Sequence, residues 1–357
     1  ADHSRYADSR WYTGSGIYRD VWLIAAPEIH LAQWGTGWHA TSLTNRQATI
    51  AVDMEVQKHI ATNDRLVVSA TLYDAAGKQE AQRRTRGSVG KEGITKENLT
   101  LKITNPHRWN LDDPYLYTLK TELLSNGQRI DGCETKVGLR TLKFDPNKGF
   151  ALNDNWMKVK GVCLHHDAGV LGAVVPPEVW ERRLNNLKEI GVNAIRMSHN
   201  PQAPVVYDLC DRLGLLIMDE ASDEWEFPKR KWVKGWNKGE PAYDGSFDFF
   251  EEWIEQDVTD MVRRDRNHPS IFMWSIGNEV DYPNDPYSHP ILDGSTINQP
   301  MFGGYKPDAP DAMRIGKIAK RLAACVRAVD TSRPVTGALA GVVMSNQTEY
   351  PEAIEVY

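Results

Sequence analysis

Beyond Lys158 the sequence alternates short apolar runs with helical stretches, and that rhythm implies parallel β/α units. The spacing predicts strands over Lys158–Cys163, Asn193–Met197, Leu215–Met218, Ile271–Trp274 and Pro334–Gly337, with Ala353–Tyr357 opening a sixth. Between them it predicts helices over Pro176–Ile190, Val205–Leu213, Phe247–Arg264 and Arg314–Val329. Pro177 suits the first turn of the first helix, while Gly191 and Gly214 suit the ends of the first two. In a barrel of parallel strands, groups at the C-terminal strand ends converge on one mouth. Here those ends read His165-His166-Asp167, Ser198-His199-Asn200, Asp219-Glu220 and Asn278-Glu279.

Residues 27–142 follow a different period. Ala48–Val56, Leu66–Tyr73, Leu99–Ile103 and Tyr117–Leu123 alternate apolar and polar positions, and Asp74-Ala75-Ala76-Gly77 supplies a turn. Strands at this spacing fit an immunoglobulin-like β-sandwich. Gly138-Leu139-Arg140-Thr141 marks the junction, so residues 143–357 form the β/α part. Ahead of the sandwich, Trp11 to Leu23 reads as a Gly-rich turn leading into a strand.

Composition narrows the function classes. Hydrophobic residues make up 41% of the 357 and charged residues 25%, as in ordinary globular proteins. A net charge of −6 leaves no basic footprint for nucleic acid. No apolar run approaches the ~18 residues of a membrane span. Cys133, Cys163, Cys210 and Cys325 are too scattered for a metal or redox motif. They read as buried free thiols and do not fix a compartment. The 12 tryptophans are read first as core packing and second as flat faces for stacking on sugar rings.

The stretch Arg266-Asn267-His268-Pro269-Ser270-Ile271-Phe272-Met273-Trp274-Ser275-Ile276-Gly277-Asn278-Glu279 combines these features. Asn-His-Pro ends the preceding helix, an apolar run follows, and an amide and a carboxylate stand where that run stops. Taken singly, each candidate has a plain alternative. Glu279 or Asp219-Glu220 can be a solvated strand end, His165 a hydrogen-bonded rim residue, and Arg196 one half of an ion pair. Successive strands ending in His, Arg/His, Asp/Glu and Asn/Glu instead suit a pocket for a hydroxyl-rich ligand.

Residues 266–279 closely resemble the acid/base signature of glycoside hydrolase family 2, which comprises β-galactosidases, β-glucuronidases and β-mannosidases. Asn193-Ala194-Ile195-Arg196-Met197-Ser198-His199-Asn200-Pro201, followed by Asp211 to Glu220, resembles the family's other signature. It departs at Asn200, where Tyr is usual, and at Met197, where a small residue is. Lys160-Gly161-Val162-Cys163-Leu164-His165 is similar to the first-strand motif, and the Trp109 to Tyr117 cluster to a string of the sandwich domain. The resemblance implies the end of a jelly-roll domain over residues 1–26, the sandwich over 27–142, and an incomplete TIM (β/α)8 barrel over 143–357. It implies a retaining exo-β-glycosidase, most readily a β-galactosidase, with β-glucuronidase or β-mannosidase as alternatives. A non-catalytic carbohydrate-binding or assembly fragment is the reading from another class.

By the same resemblance Glu279 is the general acid/base, and Asn278 binds the sugar's 2-hydroxyl. His165, Arg196, His199, Asp219 and Glu220 line the pocket, and Trp225, Trp232 and Trp236 offer stacking faces. Acetal cleavage needs an acid that keeps its proton near neutral pH, which burial and a neighbouring carboxylate favour. In a retaining enzyme the second carboxylate is the nucleophile, roughly 5–5.5 Å away. The family carries it on the seventh barrel strand, outside this chain; Glu355 is the weaker internal candidate. No cofactor is implied, the alternative being a divalent cation such as Mg held by the acidic run Asp223-Glu224-Trp225-Glu226. The partners implied are an oligo- or polysaccharide, the remaining segment of the same enzyme, and further copies in a homo-oligomer.

Overall fold

The computed structural model describes residues 16–232, 234, 238–243, 245–281, 287–293 and 304–356. Antiparallel strands come first: β1 (Ile29–Leu43), β2 (Gln47–Lys58), β3 (Leu66–Tyr73), β4 (Gln79–Arg86), β5 (Gly93–Thr104), β6 (Tyr117–Ser125) and β7 (Gln128–Val137). They pair as facing sheets in the orders β1-β2-β5 and β4-β3-β6-β7. Alternation determines which side faces inward. Ala48, Ile50, Val52, Met54 and Val56 of β2 are all at most 1% exposed, and they meet Leu66, Val68, Ala70 and Leu72 of β3. Each larger aliphatic buried in this way contributes about 1.5–3 kcal/mol.

A small antiparallel sheet follows, with β8 (Leu142–Asp145), β9 (Gly149–Leu152) and β10 (Asn155–Met157). Phe144 stacks on Phe272 at a centroid distance of 6.3 Å, and Phe150 meets it edge-on at 5.3 Å. Together with Trp109, Leu152, Leu216 and Met273 they close the N-terminal end of the barrel strands.

The β/α region runs β11 (Gly161–Leu164), α1 (Pro177–Glu189), β12 (Ala194–Met197), α2 (Pro204–Leu213) and β13 (Leu216–Glu220). It continues with the short hairpin β14 (Lys231–Trp232) and β15 (Pro241–Ala242), then α3 (Phe250–Asp265), β16 (Ile271–Asn278), α4 (Met313–Val329) and β17 (Val335–Ala338). The parallel sheet has the order β11-β12-β13-β16-β17. Prolines open α1 and α2, and Gly214 ends α2 in the left-handed conformation, as the spacing predicts. β16 is longer than the expected run from Ile271 to Trp274. Its register with β13 and β17 carries it through to Asn278.

Three expectations change. Ile354 to Val356 do not form a sixth strand. They lie beside β17 through bonds from the Glu355 N–H to Val335 O and from the Thr336 hydroxyl to Val356 O, each 2.9 Å or shorter. Residues 16–28 form no strand, and Arg19 Nη1 ties them to Pro201 O at 3.0 Å. Only Cys210 among the free thiols is buried; Cys133 and Cys163 are exposed.

The first half of the signature docks the barrel on the sandwich. Asn267 Nδ2 donates to Thr36 O at 2.8 Å, its Oδ1 accepts from the Trp38 N–H at 3.2 Å, and Arg266 Nη2 donates to Trp34 O at 3.0 Å. A Cβ at Gly37 would lie 2.6 Å from the Arg266 guanidinium carbon, so glycine lets the Arg266 guanidinium pack directly on β1. From the junction, Arg140 reaches Pro269 O and Ile271 O at 2.5 and 2.7 Å.

Beneath β16, His268 Nδ1 lies 2.6 Å from Asp211 Oδ2. Burial alone would lower the His268 pKa; the Asp211 carboxylate outweighs it and lifts the value to about 9. A folded pKa above the unfolded 6.5 gives stability that is complete below pH 6.5 and is lost as pH rises through 9. Urea midpoints should therefore fall between pH 6.5 and 9 by up to about 3 kcal/mol of stability, and Asp211→Asn should flatten that slope. A wild-type profile flat across this window would contradict the charged pair.

Candidate active site

Strand pairing sorts the strand-end residues into inner and outer faces. Glu220 pairs in register with Ser275, and Asp219 with Trp274. The inner set converges. Glu220 is fully buried and accepts from Arg196 Nε and Nη2 at 2.8 and 2.5 Å and from the Ser275 hydroxyl at 2.9 Å. His199 Nδ1 bonds its other oxygen at 2.5 Å. Burial works against the Arg196 charge, and Glu220 more than restores it. The His165 ring stands edge-on to His199 at 5.2 Å. Cys163 is the register partner of Arg196 on this face.

Arg196 also reaches Asn278 Oδ1 at 2.8 Å, and Asn278 Nδ2 donates to Asp223 Oδ1 at 2.9 Å. Beyond these two bonds an amide carries a second N–H and a second oxygen lone pair; Asn278 itself is 2% exposed. The backbone turns immediately afterwards. Glu279 has φ +43°, the left-handed region that a non-glycine residue rarely enters. Such a residue costs on the order of 1–3 kcal/mol and persists only where its surroundings over-determine it. Here the Glu279 N–H bonds Ala338 O of β17 at 2.8 Å, and the Asn278 N–H bonds Ser222 O at 3.0 Å. The turn holds the half-buried Glu279 at the strand end, directly after the Asn278 that bonds Arg196. Asp281, two residues on, accepts from the Ala340 and Gly341 N–H groups and the Ser345 hydroxyl, bracing the facing loop.

Some expected pocket residues lie elsewhere. Asp219 faces outward, with Tyr207 donating to its Oδ1 at 2.7 Å; burial and the neighbouring Asp265 push its carboxyl well above the usual range. It does not line the mouth. Trp225 is 2% exposed, donates from Nε1 to Ile276 O at 3.1 Å and stacks on Tyr350, so it is core. A Cβ at Gly277 would sit 2.8 Å from that Nε1, which explains the glycine beside Asn278. Trp232 is buried in the β14–β15 hairpin, and Trp236 lies outside the described residues. Glu220 belongs to the inner cluster, but as the covered anchor of Arg196 and His199. Glu355 bonds Arg327 and the Val335 N–H, away from the cluster.

The acidic run does not fit a divalent cation. Glu224 Oε2 accepts from Lys231 Nζ at 2.8 Å and from the Lys229 N–H at 3.0 Å. Asp223 Oδ1 accepts from Asn278 and from Lys229 Nζ, the latter at 3.4 Å. Glu226 is held by Arg314 and the Tyr287 hydroxyl. Each of these carboxylates already faces a lysine or arginine, whose charge would oppose a divalent ion there. Asp208, Asp211 and His268 also cluster, but a His268 ring protonated at neutral pH offers no lone pair to a metal. Among the described residues no helix is long and apolar enough to cross a membrane.

Known proteins share this arrangement of sequence and fold. Residues 146–350 match the family described as glycosyl hydrolases family 2, TIM barrel domain, and residues 34–140 match glycosyl hydrolases family 2. A Bacteroides ovatus protein named beta-galactosidase BoGH2A is 40% identical over 341 residues, covering 94% of this chain and 38% of that protein. A putative beta-glucuronidase of Formosa agariphila is 34% identical over 279 residues, covering 78% of this chain and 25% of its own length. The crystal structure of a glycosyl hydrolase family 2 member from Bacteroides cellulosilyticus superposes with a TM-score of 0.80 at 30% identity, over 98% of this chain and 41% of that one. The chain thus spans well under half the length of these relatives. The matches run through sandwich and barrel alike and include the strand that ends in Asn278 and Glu279: the chain belongs to glycosyl hydrolase family 2.

Proposed function

We propose that the protein carrying this chain is a retaining exo-β-glycosidase, and specifically a β-galactosidase acting on terminal β-linked sugars of an oligo- or polysaccharide. One observation carries the reading: the left-handed Glu279 turn beside the Arg196–Asn278 bond, in a chain 40% identical to a protein named beta-galactosidase BoGH2A. Glu279 protonates the departing glycosidic oxygen and then takes a proton from the water that completes hydrolysis. Asn278 offers its remaining N–H and lone pair to the hydroxyl next to the anomeric carbon. Arg196, His199 and His165 bind further hydroxyls. Glu220 and Asp223 are engaged by protein donors and are poor nucleophiles. We therefore assign the second carboxylate to the part of the relatives' length that this chain does not span.

A β-glucuronidase is the second reading, favoured by the 34% identical relative of that name. A glucuronide needs a cation for its carboxylate, and at this mouth Arg196 and Lys229 already face Glu220 and Asp223. The full-length protein is expected to show its highest kcat/KM on aryl β-galactosides among galactosides, glucuronides and mannosides. The first sugar released should carry the β configuration by proton NMR. A preference for glucuronides would overturn the sugar assignment, and an α product would overturn the retaining mechanism.

A further inference from the structure

We propose that Lys229 is a built-in cation that positions the Asn278–Glu279 turn and stands where a divalent metal would otherwise be held. The proposal rests on the reading of Glu279 as the acid/base. Lys229 is 2% exposed, and its ammonium donates to the backbone carbonyl of Asn278 and to Asp223. Asp223 in turn fixes the Asn278 side-chain amide. One lysine thus holds the residue before Glu279 twice, directly through its carbonyl and indirectly through its side chain. Fixing that peptide plane sets the direction in which the left-handed Glu279 projects its carboxyl group.

Charge balance explains why the cation is a lysine. Lys229 and Lys231, both buried, face Asp223 and Glu224, so two ammonium groups meet two carboxylates. A buried Glu224 beside a largely covered Asp223 would, without these lysines, be strongly disfavoured unless a cation came from solution. With them the cluster is neutral, and a further divalent charge would sit among like charges. The Lys229 ammonium is directed at the Asn278 carbonyl and Asp223, not at a sugar. Its effect on the reaction passes through Asn278 and Glu279, which makes it a positioning residue.

The test uses the full-length enzyme with the variants Lys229→Gln, Lys229→Ala and Lys229→Arg. Gln keeps a donor and removes the charge. It is expected to lower kcat by roughly 10–100-fold, as small misplacements of catalytic groups do. KM should move by less than about threefold, because no substrate contact is removed. The loss should be greater on alkyl than on activated aryl glycosides. Arg should recover part of it, and ethylammonium in solution should raise the activity of Lys229→Ala. Wild-type enzyme stripped with chelator should keep its kcat, and its Tm should not rise on adding magnesium. A magnesium-dependent Tm and kcat would overturn the proposal even if the Gln variant proved too unstable to assay. So would a folded Gln variant with wild-type kcat, or an equal loss on all substrates with no rescue by Arg or ethylammonium. Azide rescue of Glu279→Ala separates the two levels. If azide rescues and Lys229→Gln is fully active, Lys229 alone is misassigned; if azide fails, the acid/base reading falls and this proposal with it.

Discussion

Glu279→Ala is expected to slow hydrolysis of glycosides with poor leaving groups by roughly 10²–10⁴-fold, the usual contribution of a positioned general acid. The argument starts from the leaving group. An alkoxide leaves badly and needs a proton in the transition state, whereas a nitrophenolate leaves almost unaided. The variant should therefore keep much of its first-step rate on activated aryl glycosides and accumulate the glycosyl-enzyme, because water lacks its base. Azide needs no base and fits the space the carboxyl vacates. It should restore turnover of the activated substrates and yield the β-glycosyl azide. Folding should be little affected or even improved, since alanine removes a half-buried carboxyl group but remains in the same φ +43° turn held by Ala338. Equal loss on both substrate classes without azide rescue would remove Glu279 from the role.

Much of this was legible because it depends on local pattern. The alternation of Ala48 to Val56 has a single physical solution, one buried face, and the structure adopts it. The β/α rhythm likewise located the four long helices, α1 to α4, of the β/α region. Parity within a strand was not legible. Leu216, Ile217 and Met218 are all apolar, as in any strand covered on both faces, so nothing in the run says which of Asp219 and Glu220 points inward. Only the pairing with Trp274 and Ser275 decides it. Trp225 misled for a related reason: an indole has the same chemistry in a core as in a cleft, and the partners that bury it, Phe250 and Tyr350, are far off in sequence. Lys229 and Lys231 carry no local pattern that marks them as buried. Their burial needs Asp223 and Glu224 a few residues away and the carbonyl of Asn278, 49 residues on. The Arg266–Pro269 half of the signature was legible as a turn, but its docking onto β1 is a long-range fact.

Removing Glu220 is expected to be the most destabilising single change at the mouth. Its carboxylate is fully buried and is shared by Arg196, His199 and Ser275, and Arg196 retains only 22% of its side-chain exposure. Glu220→Ala leaves that guanidinium without its counter-charge, and breaking a buried pair from one side costs about 3–5 kcal/mol. For a protein of this size that is a drop in Tm of roughly 5–15 °C. Arg196→Met should cost a comparable amount from the other side, because Glu220 is then left to His199 and the Ser275 hydroxyl, without its full counter-charge. Adding Glu220→Gln to Arg196→Met should recover part of the loss, a coupling of roughly 0.5–3 kcal/mol. A purely structural pair would stop there. If Arg196 also binds the sugar, Arg196→Lys should separate the two roles. Lysine keeps the charge against Glu220 but cannot reach Glu220 and Asn278 together in one planar fork. Its Tm should stay near wild type, while affinity for a sugar-shaped inhibitor should weaken by about 1.5–3 kcal/mol, the worth of a charge-assisted hydrogen bond. Unchanged inhibitor affinity in folded Arg196→Lys would confine Arg196 to the ion pair and leave His165, His199 and Asn278 as the sugar ligands of this mouth.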